Sequence, residues 1–139
     1  MMVALVGSRG WKDRQAVLRV VGDLPPDAVV VSGGARGADT LAVAAARARG
    51  LQVFVVRPDY QRYGRQAPLR RNELIARTVT RMVAFWDGRS GGTAYAVSCM
   101  EKLGKPVEVV RELCYSVPSP DAHTTASMFP LRRPVKGPR

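Results

Sequence analysis

Two glycine-rich stretches hold the residues best equipped for anion chemistry. The first is Ser32-Gly33-Gly34-Ala35-Arg36-Gly37-Ala38-Asp39, directly after the β-branched run Val29 to Val31. The second is Asp87-Gly88-Arg89-Ser90-Gly91-Gly92-Thr93, directly after Arg81 to Trp86. Glycine lacks the Cβ that would keep a phosphate away from backbone N–H groups. The start of a following helix adds unpaired donors and roughly half a unit of positive charge. Arg36 places a full charge inside the first stretch. Asp39 falls in the first turn of the next helix, where it caps N–H groups or accepts from a ligand hydroxyl. Asp87 either caps its own turn or takes a ribose hydroxyl. Ser90 and Thr93 are placed to cap a helix, a role compatible with a phosphate beside them.

Other residues of the same chemistry lie elsewhere in the chain. Ser8 and Arg9 follow the apolar run Met2 to Gly7, and Tyr60 sits in the aperiodic stretch Pro58 to Ala67, read as a loop. Arg70, Arg71 and Asn72 lie within about one turn of a helix start near Pro68. A guanidinium there, facing two glycine turns, suits a phosphate clamp. The candidate ligand-binding set is therefore Gly7, Ser8, Arg9, Gly33, Gly34, Arg36, Gly37, Asp39, Tyr60, Arg71, Asn72, Asp87, Ser90, Gly92 and Thr93. Arg71, Asp39 and Asp87 are the candidates for a catalytic role.

Composition narrows the partners. The 139 residues carry 22 basic and 11 acidic side chains, a net charge of +11. Only Lys12, Lys102, Lys105 and Lys136 are lysine, and the rest of the basic residues are arginine. Arginine favours planar, two-pronged contacts to phosphate. Such a chain suits anionic partners: nucleotides, nucleic acid or an acidic protein. His123, the single histidine, lies near the C-terminus, and Cys99 and Cys114 have no metal-ligand spacing. Neither a metal nor a cofactor is expected, and both cysteines are read as buried free thiols.

These residues need elements to position them. Met2 to Gly7, Ala28 to Val31, Gln52 to Arg57, Arg81 to Trp86 and Val107 to Arg111 read as strands. Helical periodicity covers Arg14 to Leu24, with Asp13 as N-cap and Ala16, Val17, Val20 and Val21 on its buried face. A second helix runs from near Gly37 to Gly50, with Leu41, Ala42, Ala45 and Ala48 turned inward. Two more run from Pro68 to Thr78 and from Thr93 to Leu103. Strands alternating with helices predict an α/β fold: a Rossmann-like three-layer α/β/α domain with a parallel sheet of about five strands. Ligands of such sheets sit beyond the carboxyl ends of the strands, near the reversal of strand order. The first four strand–helix loops, which carry the candidate residues, all emerge at that edge.

The ordered set of motifs resembles a known family. It comprises G-S-R at Gly7 to Arg9, S-G-G-A-R-G-A-D at Ser32 to Asp39, and P-D-Y…Y-G…A at Pro58 to Ala67. It continues with R-N at Arg71-Asn72, A-F-W-D-G-x-S-x-G-T at Ala84 to Thr93, and G-K-P-V at Gly104 to Val107. This is similar to the YspA-type branch of the SLOG superfamily. That superfamily also holds the LONELY GUY phosphoribohydrolases, the DprA/Smf DNA-processing proteins and the molybdenum-cofactor carriers. The resemblance spans nearly all of residues 2–110. It implies a nucleotide or nucleotide-derived ligand, with Gly33, Gly34, Gly37, Gly92 and Thr93 at phosphate and Arg71 in the arginine position of the phosphoribohydrolase motif. One departure bears on chemistry. Where the phosphoribohydrolases carry a glutamate after the G-T pair, this chain has Ala96. Glycosidic cleavage needs a carboxylate at the reacting ribose, so Asp39, Glu73 or Asp87 would have to replace it.

The first reading is accordingly a sensor or carrier of a nucleotide or nucleotide-derived ligand. The alternatives are a phosphoribohydrolase or other N-glycosidase acting on a nucleoside monophosphate, and DprA-like nucleic-acid binding. A homodimer or higher homo-oligomer is expected from relatives of this fold. Residues 1–116 are read as the domain and 117–139 as a flexible, basic, proline-rich tail. No apolar run approaches the ~20 residues that span a bilayer. The N-terminus reads as a strand, and a cytoplasmic location is expected.

Overall fold

The computed structural model describes residues 1–112, and the segment read as a tail, together with Cys114, lies outside the described residues. The strands are β1 (Met2–Gly7), β2 (Val29–Ser32), β3 (Gln52–Val55), β4 (Arg81–Trp86) and β5 (Val107–Arg111). They form one parallel sheet in the order β3-β2-β1-β4-β5. The chain thus builds outward from β1 to β3, then crosses back and builds outward from β4 to β5. The strand order reverses between β1 and β4. Both strands are central and apolar on both faces, as their unbroken buried runs require.

The helices are α1 (Arg14–Gly22), α2 (Ala38–Ala48), a single turn α3 (Tyr60–Tyr63), α4 (Ala67–Thr78) and α5 (Gly91–Lys102). One core cluster lies under α1 and α2 and holds Val3, Leu5, Val17, Val30 and Phe85. The other lies under α4 and α5 and holds Ala4, Val6, Val31, Ile75, Met82 and Met100. Three layers result. Burying Phe85 alone contributes roughly 2–3 kcal/mol. Asp13 caps α1 as expected, accepting from the Ala16 N–H at 3.2 Å. Small residues let α2 sit close to the sheet. Ala42, Ala45 and Ala46 are buried, whereas Ala48 is exposed, because the inward face turns through Ala46.

Three expectations need correction. Pro58 to Ala67 is not structureless: it holds α3 and a 3-10 turn at Gly64–Gln66. The Asp59 carboxylate starts α3 by accepting from the Arg62 N–H at 3.1 Å, a local cap with no apolar periodicity to announce it. Helix α5 begins at Gly91, two residues before Thr93. Cys99 is free but half-buried, because it lies on the flank of α5 and not on the face that meets the sheet. Among the described residues no helix is long and apolar enough to cross a membrane.

Candidate functional site

A cavity of about 330 Å³ opens where the strand order reverses. Val6, Gly7, Arg9 and Gly10 wall it from the end of β1, and Asp87, Ser90, Gly92, Thr93 and Ala96 from the end of β4 and the start of α5. Pro68, Arg71 and Asn72 of α4 and Ala35 and Asp39 of the β2–α2 turn close it. Two bonds join its sides across the reversal. The Ser8 N–H donates to the Phe85 carbonyl at 2.9 Å, and the Asp87 N–H donates to the Ser8 hydroxyl at 3.0 Å.

The β2–α2 turn is satisfied from within. The buried Asp39 carboxylate accepts from the N–H groups of Gly7 at 3.0 Å, Gly33 at 3.0 Å and Ala35 at 3.3 Å, and from the Ser32 hydroxyl at 3.4 Å. Burial pushes the Asp39 carboxyl up from its ordinary value, while the Ala35 N–H, the charge of Arg71 and the N–H groups of Gly7 and Gly33 pull it down. Gly37 is required by packing: it has φ +79°, and a Cβ there would overlap the carbonyl oxygens of Ser8 and Arg9. Gly7 is similar, since its Cβ would overlap the Phe85 carbonyl.

The start of α5 is built differently. Its N-cap residue, Ser90, makes no side-chain capping bond. Among the described residues nothing accepts from the N–H groups of Gly91, Gly92 or Thr93, the donors that a helix start leaves without intrahelical partners. A Cβ on Gly91 or Gly92 would meet nothing within 4 Å. Protein packing therefore does not account for these two glycines, and Gly92 faces the cavity.

Arg71 stands opposite. Its Nη1 donates to the carbonyls of Gly33 and Val56, and its Nε donates to Asn72 Oδ1 at 2.8 Å. Its Nη2 has no partner among the described residues. Asn72 is buried and also donates through Nδ2 to the Gly92 carbonyl at 3.2 Å, so it fixes Arg71 and the first turn of α5 together. Burial draws the Arg71 guanidinium below its ordinary value; Asp39 and Tyr60 oppose this, and Arg9 adds to it. Arginine keeps its charge regardless. An anion beside Arg71 would offset the repulsion from Arg9.

The structure thus gathers Gly7, Arg9, Asp39, Arg71, Asn72, Asp87, Ser90, Gly92 and Thr93 from the expected set. It keeps Ser8, Gly33, Gly34, Arg36, Gly37 and Tyr60 out of the wall. Ser8 is fully buried, with its hydroxyl on the Asp87 N–H and its carbonyl on the Trp11 and Ala38 N–H groups. Arg36 and Tyr60 are exposed to solvent. Glu73 is outside as well, paired with Arg70 at 3.0 Å and accepting from the Tyr95 hydroxyl. Sequence reasoning missed the Gly91 N–H, although the adjacent glycine was its signal, and the part of Pro68 and Gly10 in the wall, for which there was none. Among the described residues no group of three His, Cys, Asp or Glu could hold a metal ion.

Comparison with known proteins adds lineage to this geometry. Residues 1–63 match the family described as YspA, cpYpsA-related SLOG. The Gene 61 protein of Mycobacterium phage D29 is 37% identical over 115 residues, covering 76% of this chain and 92% of the phage protein. Among solved structures, DNA processing protein A (DprA) from Streptococcus pneumoniae superposes with a TM-score of 0.71 at 21% identity, over 94% of this chain and 56% of that one. This chain therefore spans little more than half the length of the pneumococcal protein. DNA processing protein A from Helicobacter pylori, whose structure concerns its single-stranded DNA binding mode, gives a TM-score of 0.68 at 18% identity, over 91% and 73%. At these identities the likeness is one of fold.

Proposed function

The chain belongs to the YspA, cpYpsA-related SLOG family, and on that premise we propose that it binds a nucleotide or nucleotide-derived ligand in the cavity at the strand reversal, as a sensor or carrier in the cytoplasm. The carrying observation is the row of N–H groups at Gly91, Gly92 and Thr93 without partners among the described residues, at a helix start whose Gly92 and Thr93 line the same cavity as Arg71 and Arg9. Backbone donors, a helix start and two guanidiniums form an anion cradle. The apolar wall of Val6, Pro68 and Ala96 accommodates the rest of the ligand.

Glycosidic cleavage is the weaker reading. It needs a carboxylate at the ribose, and Ala96 supplies none. Of the candidates, Asp39 already accepts four hydrogen bonds and Glu73 lies outside the cavity, which leaves Asp87. Nucleic-acid binding has a separate observation in its favour. Arg9, Arg36, Arg57, Arg89 and Arg111 are all exposed and all lie at or just past the carboxyl ends of strands, and a neighbour in fold binds single-stranded DNA. It predicts affinity that falls steeply with salt. Self-association is supported by exposed Phe54, Leu74 and Leu103 and is checked by sedimentation.

Native mass spectrometry for a co-purifying ligand, followed by thermal-shift screening of nucleotides, ADP-ribose-type compounds and cyclic dinucleotides, tests the proposal. A hit should stabilise the wild type and fail on Arg71→Ala. Its recovery intact after incubation supports a sensor or carrier, whereas a released base supports the hydrolase. Silence across the panel with salt-sensitive DNA binding transfers the function to the basic rim.

A further inference from the structure

Asp87 is the carboxylate in the cavity wall with an oxygen to spare. Its Oδ1 accepts from the N–H groups of Arg89 at 2.8 Å and Ser90 at 2.7 Å. Its own N–H is held by the Ser8 hydroxyl at 3.0 Å. Those bonds fix the direction of the carboxyl group. Among the described residues no hydrogen bond of sound geometry reaches Oδ2, although the Ser8 hydroxyl lies near enough to favour the ionised form. Asp39, the other carboxylate in the wall, is buried and already accepts four bonds.

The N–H groups of Arg89 and Ser90, the largest influences on it, hold the Asp87 carboxyl below its ordinary value. It is an acceptor only, so the partner of Oδ2 must be a donor. It also lines the same cavity as Ser90, Gly92 and Thr93. A second phosphate there would meet a like charge. A ligand group beside Asp87 is therefore a donor, close in the ligand to the phosphate held at the start of α5. In a nucleoside 5′-phosphate the ribose hydroxyls answer that description, whereas the amino groups of the bases lie farther out.

Resting on the nucleotide reading above, we propose that Asp87 is the specificity-determining residue for the sugar: Oδ2 accepts from a ribose hydroxyl and selects ribonucleotides over their deoxy counterparts. The two alternatives left open by the sequence are then both true, one for each oxygen. Oδ1 caps the turn, and Oδ2 takes the sugar. A DNA strand, with no 2′-hydroxyl and its 3′-oxygen esterified, would make a poor occupant of this cavity.

The test is titration calorimetry with AMP, GMP, CMP and UMP, and with the 2′-deoxy and 3′-deoxy form of whichever binds, on wild type and on Asp87→Asn. Asparagine keeps the oxygen that caps the turn and removes the charge, and a single cooperative melting transition confirms that it folds. A hydrogen bond to a charged group corresponds to roughly ten- to hundredfold in affinity. The wild type should therefore prefer the ribonucleotide at least about tenfold over one deoxy form, and Asp87→Asn should reduce that ratio to about threefold or less. Equal binding of ribo and both deoxy forms by the wild type overturns the role of Asp87 and leaves the nucleotide site standing. Uniform weakening by Asp87→Asn with the ratio kept also overturns it, since the residue would then act only on the turn. No binding of any nucleotide by the wild type overturns both.

Discussion

In the turn that follows β2, the N–H groups of Gly33 and Ala35 end on a carboxylate of the same chain; in the turn that follows β4, those of Gly91 and Gly92 end on nothing among the described residues. The two turns share composition: paired glycines, one arginine, one aspartate, one serine, and a helix behind. They differ in where the aspartate falls. Asp39 comes after its glycines, in the first turn of α2, and reaches back over them. Asp87 comes before its glycines, so its carboxylate covers Arg89 and Ser90 and stops short of Gly91. In this chain the glycines followed by an aspartate form a frame, and those preceded by one form the cradle we propose. The frame aims Arg71 and locks β1 to α2; the cradle is what the frame holds open.

The largest effect expected from this contrast is on stability. Asp39→Ala leaves the buried Gly33 donor and the partly buried donors at Gly7 and Ala35 without an acceptor, each at about 1–3 kcal/mol. A net loss of about 3 kcal/mol or more is expected in urea unfolding. Gly37→Ala should be comparably severe, because its Cβ overlaps two backbone carbonyls at a positive φ. Either variant with full stability but no ligand affinity would make the first turn a binding loop and break the contrast.

Gly92→Ala should act in the opposite sense. Beyond its chain neighbours and its own helix backbone nothing lies within 4 Å of the added methyl, and alanine is the better helix former, so stability should hold or rise by about 0.5 kcal/mol. Gly92 lines the cavity, so the methyl adds bulk at the wall where we propose that the anion binds. Affinity for inorganic phosphate and for nucleoside monophosphates should fall about tenfold or more, roughly 1.4 kcal/mol. Unchanged affinity in a stable Gly92→Ala protein would remove the cradle from the reading.

Acidity separates the turns more gently. Burial raises the Asp39 carboxyl above 3.8, so its contribution to stability is full below that value and lost as pH rises through its folded pKa. The Arg89 and Ser90 N–H groups lower the Asp87 carboxyl, so its contribution is present above 3.8 and lost as pH falls through its folded pKa. Urea midpoints measured from about pH 2 to about pH 7 should give opposite slopes. The gap between wild type and Asp87→Asn should close on the acid side, and that between wild type and Asp39→Asn should narrow toward neutrality. Parallel slopes would mean that the two carboxylates share one environment.

The contrast also explains what the sequence allowed to be read. Order, spacing and apolar runs were enough for the parallel sheet, because β1 and β4 are apolar on both faces and such runs have few alternatives. The location of the site at the sheet's carboxyl edge follows from the same order. Assignment of single residues was less legible. A glycine gives the same letter whether it makes room for Ser8 and Arg9, as Gly37 does, or for nothing in the protein, as Gly92 does. Ser8 carries a hydroxyl suited to phosphate, yet the parallel pairing of β1 with β4 places it fully inside, on the Asp87 N–H. That contact spans the strand reversal and has no local pattern. Helix α3 was hidden for a related reason, since a single polar turn started by Asp59 has no buried face to imprint a period.

The smallest expected effect is at Arg36, and it bears on the contrast because it is nearly absent. Arg36 is the one charge in the first turn that a phosphate-binding reading of its glycines would need. It is exposed, makes no hydrogen bond or ion pair among the described residues, and lies outside the cavity wall. Arg36→Ala should leave stability within about 0.5 kcal/mol and mononucleotide affinity within about twofold. On single-stranded DNA the expectation differs. A guanidinium on the basic rim that meets a backbone phosphate weakens binding when removed and lowers the salt slope by about one. Running both ligands on one variant thus asks which surface each uses. If Arg36→Ala weakened mononucleotide binding as strongly as Gly92→Ala, the frame would itself touch ligand, and the position of an aspartate relative to its glycines would no longer distinguish the two turns.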